Sequence, residues 1–389
     1  MTSRAHGITE AIPRKPPYDV NLLFPVLFLV GIGIVMIYSA SSALAMKKFG
    51  NDYFFLKKQG VFAIGGMIVL VICRHIPYLL YQRLAYPILL AALVLLLAVH
   101  FSPLGYSAGG SMRWLRFGSV SFQPSEFARI ALIIYLAYSL SRKTDRVREF
   151  KIGFLPHVTI FGILAILILM EPDFGSVVIL GAVTWIMLYV GGVRLMHLTL
   201  TSIPLLPLAY FFMMDAGYRV KRIMSFLNPW EYSTNEGYQI IHSLLAFGTG
   251  GIWGVGIGKG YQKLFYLPEP HTDFIFSIIG EELGLVGVMT ILGLYGMIIG
   301  RGIGISRKTP ELFGSYLTAG LTVAIALQVF INMGVTLGLL PTKGLVLPFL
   351  SYGGSSLILN MASIGILMNV ESASGPAVIP KPGPRRGHE

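Results

Sequence analysis

The 389-residue chain is 54% apolar and only 12% charged, with a mean hydropathy of +0.70. Soluble domains carry about 25% charged residues, so a cytosolic enzyme, a disordered protein and a coiled coil are excluded, and lipid is the main solvent. A net charge of +12 would suggest nucleic acid in a soluble protein, but in a polytopic one basic residues collect in cytoplasmic loops. The excess therefore reports topology, and no nucleic-acid partner is expected. Cys73 stands alone, which rules out a disulfide framework, and no HExxH helix offers a zinc site.

A membrane span needs about 20 mostly apolar residues. Windows of that kind fall at 21–43, 57–74, 84–101, 124–141, 153–170, 174–192, 195–214, 273–298, 313–337 and 355–372. They predict an all-α polytopic membrane protein of about ten transmembrane helices. An even number puts both termini on one side. Basic residues are denser in the segments that share that side, such as Arg142 to Lys151, so both termini are placed in the cytoplasm. The organisation expected is a cytoplasmic tail over 1–20, a transmembrane domain over 21–372, and a Pro- and Gly-rich disordered tail over 373–389. Arg14-Lys15 precedes the first span as in a signal peptide, but the apolar core is too long for a cleaved one. Two outer segments, 102–123 and the long 215–272 between the seventh and eighth helices, are rich in aromatic, basic and glycine residues. Loops of that length usually work, so the functional surface is expected to face outward.

Ionisable groups at membrane depth are costly and mark sites by default. Glu126 and Arg129 lie three apart on the fourth span, so they can pair on one helix face. Pairing and a ligand-facing role stand equal. Asp173, in the turn between the fifth and sixth spans, reads as a helix N-cap. The glycine run 248–260 fails the P-loop pattern, because Gly260 stands where Ser or Thr is needed; a flexible loop with amides open to phosphate is the weaker reading that survives. Asp273 enters the eighth span from a large polar loop, beside His271, which is where a general base acting on an enclosed substrate would sit. Glu281 and Glu282 lie further along that helix. A structural salt bridge, with Arg129 as the candidate partner, is weighed there against a proton pathway.

Several of these stretches together resemble the signature segments of the SEDS family of cell-envelope proteins (shape, elongation, division and sporulation). They are Phe122-Gln123-Pro124-Ser125-Glu126, Glu171-Pro172-Asp173-Phe174-Gly175, Gly237-Tyr238-Gln239, Leu267 to Phe276, Gly280-Glu281-Glu282-Leu283-Gly284 and Leu350 to Ser356. Asn228-Pro229-Trp230 and Leu340 to Gly344 look more like the FtsW and SpoVE branch than RodA. The resemblance implies a ten-helix peptidoglycan glycosyltransferase of the bacterial cytoplasmic membrane, polymerising lipid II on the outer face. It further implies a class B penicillin-binding transpeptidase as partner and, for the FtsW branch, the division machinery at the septum.

Carried over by position, the family's essential aspartate falls on Asp273, its fourth-span pair on Glu126 and Arg129, and a further acid on Asp173. Many members have lysine at position 129; arginine keeps the charge but holds its proton. The chemistry implied is attack of a sugar hydroxyl on an anomeric carbon, with Asp273 as base and cations on the departing diphosphate. Arg113, Arg116, Arg219, Lys221 and Arg222 are the candidate cations, with Lys343 and His271 as supporting residues. A divalent cation, Mg2+ or Mn2+, could share that task, although the sequence shows no ligand set for one. Two rival readings are a flippase or transporter of lipid-linked precursor, suggested by the buried charges, and a noncatalytic scaffold for a transpeptidase.

Overall fold

The structure, a computed structural model, describes residues 18–374 apart from 109–110, 119, 215–216, 235–236, 265–266, 269 and 343. Each predicted window coincides with a helix. In chain order these are α1 (Val20–Phe49), α2 (Phe54–His75), α4 (Ala85–Phe101), α5 (Pro124–Arg142), α6 (Leu155–Met170), α7 (Phe174–Val190), α8 (Leu195–Met214), α11 (Ile275–Lys308), α12 (Leu312–Thr336) and α13 (Gly354–Ala373). The short α3 (Tyr78–Arg83) joins α2 to α4. The tails expected over 1–20 and 373–389 lie, except for a few residues at their inner ends, outside the described residues.

The helices begin and end where side chains and backbone dictate. The Asp19 carboxylate accepts from the Asn21 N–H at 3.1 Å and caps α1, and Gly50, in the left-handed region, closes its other end. The α5 helix opens with Pro124, whose missing N–H would have had no partner in the first turn anyway. Buried side chains of α5, α12 and α13 form the centre of the bundle, whereas α2 and α4 expose Val61, Ile64, Ile68, Leu90 and Val94 as lipid-facing surfaces do. At the inner end Arg301 joins three helices: its Nε donates to Asp19 at 2.5 Å and its Nη2 to Glu371. Arg301 lies past the apolar window that ends at 298, in the part of α11 that runs on to Lys308.

The two outer segments are folded. Residues 102–123 make a three-stranded antiparallel sheet, β1 (Gly105–Ala108), β2 (Ser111–Phe117) and β3 (Val120–Phe122), with Leu115 of β2 paired to both neighbours. The helical class holds; this hairpin is the addition the helix pattern did not contain. Residues 215–272 hold α9 (Gly217–Leu227) and α10 (Tyr238–Gly250), and α10 packs along α11.

The α11 helix is broken at Gly284, where φ is 65° and ψ is −164°. A break at membrane depth strands backbone groups that no water can satisfy. Here the glycine run supplies the partners. Val255 and Gly256 donate their N–H groups to the Glu281 and Glu282 carbonyls at 3.0 Å each, and Leu285 and Val286 donate to the Gly251 and Ile252 carbonyls at 2.9 and 3.2 Å. The fit admits no side chain: a Cβ on Gly254 would lie 2.2 Å from the Glu282 carbonyl oxygen, and one on Gly284 2.3 Å from the Gly254 nitrogen. This corrects the reading of the run as a loop with amides open to phosphate. The Val255 and Gly256 amides are committed to the helix break, and that of Gly258 to the Glu282 carboxylate.

Candidate functional site at the outer end of the bundle

Three acid-bearing segments meet at the outer end. The first is the start of α5, where Glu126 and Arg129 are 6% and 7% exposed and pair at 2.6 Å, as their spacing predicts. Gln328 of α12 points its Nε2 at the other Glu126 oxygen, at 3.5 Å. The pair is thus closed on itself inside the bundle.

The second is the turn between α6 and α7. Asp173 caps α7, accepting from the Ser176 N–H at 3.1 Å and its hydroxyl at 2.7 Å. The β-hairpin lays Arg113 across this turn: Nε donates to the Glu171 carbonyl at 3.0 Å, Nη2 to that of Pro172 at 2.6 Å, and Nη1 stands 4.0 Å from Asp173. Gln123 reaches Asp173 at 3.3 Å. The sheet therefore serves to place a guanidinium beside an acid. Glu171 is fully buried, and among the described residues neither carboxylate oxygen has a hydrogen-bond partner. Burial first, then the charge of Asp173, push its pKa up to about 8, with Arg113 opposing. Between its unfolded value and about 8 the folded protein holds a proton that the unfolded chain has lost, so stability falls as pH rises through that window. Glu171→Gln is expected to unfold at a higher temperature than the parent at about pH 9, with the gain shrinking towards about pH 5. Scanning fluorimetry at both pH values checks this, and an equal effect at the two would contradict it.

The third is Asp273, just before α11 and partly exposed at the outer end. The Asn332 side chain of α12 donates to the Asp273 carbonyl at 3.0 Å and to the Leu345 carbonyl at 2.5 Å. Gly344 approaches so closely that a Cβ there would stand 3.0 Å from Asp273 Oδ2. Leu345, the next residue, packs against Gly175 in the first turn of α7, 3.5 Å from the position a Cβ would take. The segment 344–345 therefore lies between Asp273 and the turn that carries Asp173. Gly344→Ala is expected to displace the carboxylate and slow turnover by about tenfold with no loss of thermal stability. Turnover and unfolding measured on the same preparation check it, and parental turnover would show that the close approach carries no function.

His271 is buried against Phe55 and Tyr352, with ring centroids 4.4 and 5.5 Å away. Burial, and then Lys48, lower its pKa to about 4, so it is neutral near pH 7. Arg116 turns back on its own hairpin, donating to the Gly118 carbonyl at 3.2 Å and covering the Tyr106 ring at 5.0 Å. Lys221 and Arg222 are exposed on α9, which contacts α8; the Arg219 side chain and Lys343 lie outside the described residues. Among the described residues no three His, Cys, Asp or Glu side chains converge, so they offer an ion no ready-made cage.

The expected pairing of Glu281 or Glu282 with Arg129 is overturned. Glu282 bonds Lys263 Nζ at 2.6 Å, Ser39 Oγ at 2.7 Å and the Gly258 N–H at 3.0 Å, and Lys263 also donates to Ser39 at 2.8 Å. Glu281 accepts from the Tyr261 and Gln262 N–H groups at 2.8 and 3.2 Å. Arg129 is already taken by Glu126, and the outer loop brings its own cation to the acid. The sequence reading also missed Gln328 and Asn332. Two amides four residues apart in an apolar span would have pointed to them, since they share one face of α12.

These features define a multi-pass membrane protein with an acid-lined site at one end of its bundle. A family model described as cell cycle protein, covering FtsW, RodA and SpoVE, matches residues 20–375, and the chain belongs to that family. The probable peptidoglycan glycosyltransferase FtsW of Geobacter metallireducens is 46% identical over 355 residues, 91% of this chain and 95% of that protein. Stage V sporulation protein E of Bacillus subtilis is 40% identical over 361 residues, 93% of this chain and 99% of its own. Among solved structures, a chain from work on the coordination of polymerization and crosslinking by a peptidoglycan synthase complex matches with a TM-score of 0.76. It is 28% identical, across 92% of this chain and 99% of that one. The rod shape-determining protein RodA of Thermus thermophilus matches with a TM-score of 0.68 at 28% identity, across 91% and 96% of the two chains.

Proposed function

We infer that this protein is a peptidoglycan glycosyltransferase that joins lipid II into glycan strands on the outer face of the bacterial cytoplasmic membrane. The observation that carries the reading is the partly exposed Asp273, held from two sides at the head of α11 beside the turn that bears Asp173 and is crossed by Arg113. In the step proposed, the 4-hydroxyl oxygen of one sugar attacks the anomeric carbon of the next. Asp273 takes the hydroxyl proton as the new glycosidic bond forms, and the bond from that carbon to the diphosphate breaks, releasing undecaprenyl diphosphate. Arg113 has N–H capacity beyond its two carbonyl bonds and is the first cation offered to the leaving diphosphate. Arg116, Arg219, Lys221, Arg222 and Lys343 are proposed to assist from the outer segments. Glu126 and Arg129 are proposed to support the site as a neutral pair.

The transport reading drew on buried intramembrane charge. That motive weakens, because Glu126 is paired with Arg129, Glu282 with Lys263, and Glu281 is bonded by loop amides. The likeness to a chain of a synthase complex that couples polymerization to crosslinking supports a class B penicillin-binding transpeptidase as partner. The FtsW relatives support a place among divisome membrane proteins at the septum. The purified protein with its transpeptidase partner, given lipid II in detergent, is expected to form glycan strands. There are no two sides in detergent, so a pure transporter gives none, and a silent partner-bound complex would favour the scaffold.

A further inference from the structure

We propose that Asn332 is a positioning residue for Asp273, holding the head of α11 and the segment after α12 in the one arrangement in which that carboxylate can work. The proposal rests on the reading of Asp273 as the base. Asn332 is 2% exposed, and its single NH2 group donates to the backbone carbonyls of Asp273, at 3.0 Å, and Leu345, at 2.5 Å. Those two carbonyls belong to the chain segments on either side of the carboxylate. One ends the outer loop and the other follows Gly344, whose backbone approaches Asp273 Oδ2.

The chemistry fixes which way the amide faces. A flipped side chain would aim its oxygen at two carbonyl oxygens, so only the NH2 can occupy that position. Its Oδ1 has no hydrogen-bond partner among the described residues. An apolar side chain would avoid burying that acceptor, so the two donated bonds are what the residue supplies. Both bonds end on backbone, which makes the effect independent of the neighbouring side chains. Tyr352 adds a third tie, donating its N–H to the His271 carbonyl at 2.9 Å, two residues before Asp273.

The test uses the full-length protein in complex with its transpeptidase partner and lipid II as probe. Asn332→Ala is expected to lower kcat by about tenfold to a hundredfold while KM stays within about twofold. Asn332→Asp keeps the shape but can donate only when protonated. Its rate relative to the parent is therefore expected to climb as pH falls from about 8 to about 6, whereas a space-filling role gives a flat ratio. That ratio is read within a folded, volume-matched variant and so does not depend on whether Asn332→Ala folds. Parental kcat in Asn332→Ala, or a flat ratio for Asn332→Asp, overturns the positioning role while Asp273→Asn is inactive. Full activity in Asp273→Asn overturns instead the base reading beneath it.

Discussion

Lys263→Met is expected to destabilise the protein by about 3–5 kcal/mol, the cost typical of leaving one member of a buried ion pair unpaired. Glu282 is 1% exposed, and Lys263 Nζ is its only cationic partner among the described residues. Methionine fills the space of the lysine stem but leaves the carboxylate facing Ser39 and the Gly258 N–H alone. The damage should spread, since the same stretch carries the backbone bonds that patch the α11 break. Removing both charges, as Lys263→Met with Glu282→Gln, eliminates the stranded charge and is expected to recover a large part of the loss. Unfolding temperatures of the single and double variants in one detergent check this. A double variant as unstable as the two single losses added together would show that the groups do not act as a pair.

The Lys263–Glu282 pair also shows why some of the fold was readable in the sequence and some was not. Helix spans follow from local hydropathy, so all ten windows fall on helices. Contacts within one helical turn were equally legible: Glu126 and Arg129 pair across three residues, and Asp173 caps the helix it begins. Lys263 and Glu282 are 19 residues apart and meet only because the glycine run folds back onto a helix break that hydropathy does not mark. The same limit hid the role of the glycines, which resembled an open loop because nothing local reveals what their amides reach. The β-sheet escaped because its three strands are short and follow an apolar helix, so period-two alternation had little length in which to appear.

The site was partly legible for the same reason. Asp273 stood out through its place where a polar loop enters a helix, a feature local to the sequence. The residues that set its surroundings, Asn332, Gly344 and Leu345, arrive from α12 and the connection beyond it, almost sixty or more positions away. Arg113 could be named as a cation, but its seat over the turn at 171–173 depends on the hairpin. His271 was named for its place beside Asp273, and the contacts of its ring with Phe55 and Tyr352 come from the fold.

The second large effect concerns Asp273 itself. Asparagine matches the carboxylate in size and leaves the Asn332 bond to the backbone carbonyl intact, so Asp273→Asn changes proton acceptance with little change in shape. A positioned general base contributes about a hundredfold to ten-thousandfold in rate. The decisive measurement is glycan-strand formation from lipid II by purified Asp273→Asn protein in complex with its transpeptidase partner, beside the parent complex. The account predicts that the parent makes strands and that the variant, folded and partner-bound to the same extent, is slower by at least about a hundredfold. Strand formation at the parental rate by the variant would contradict it.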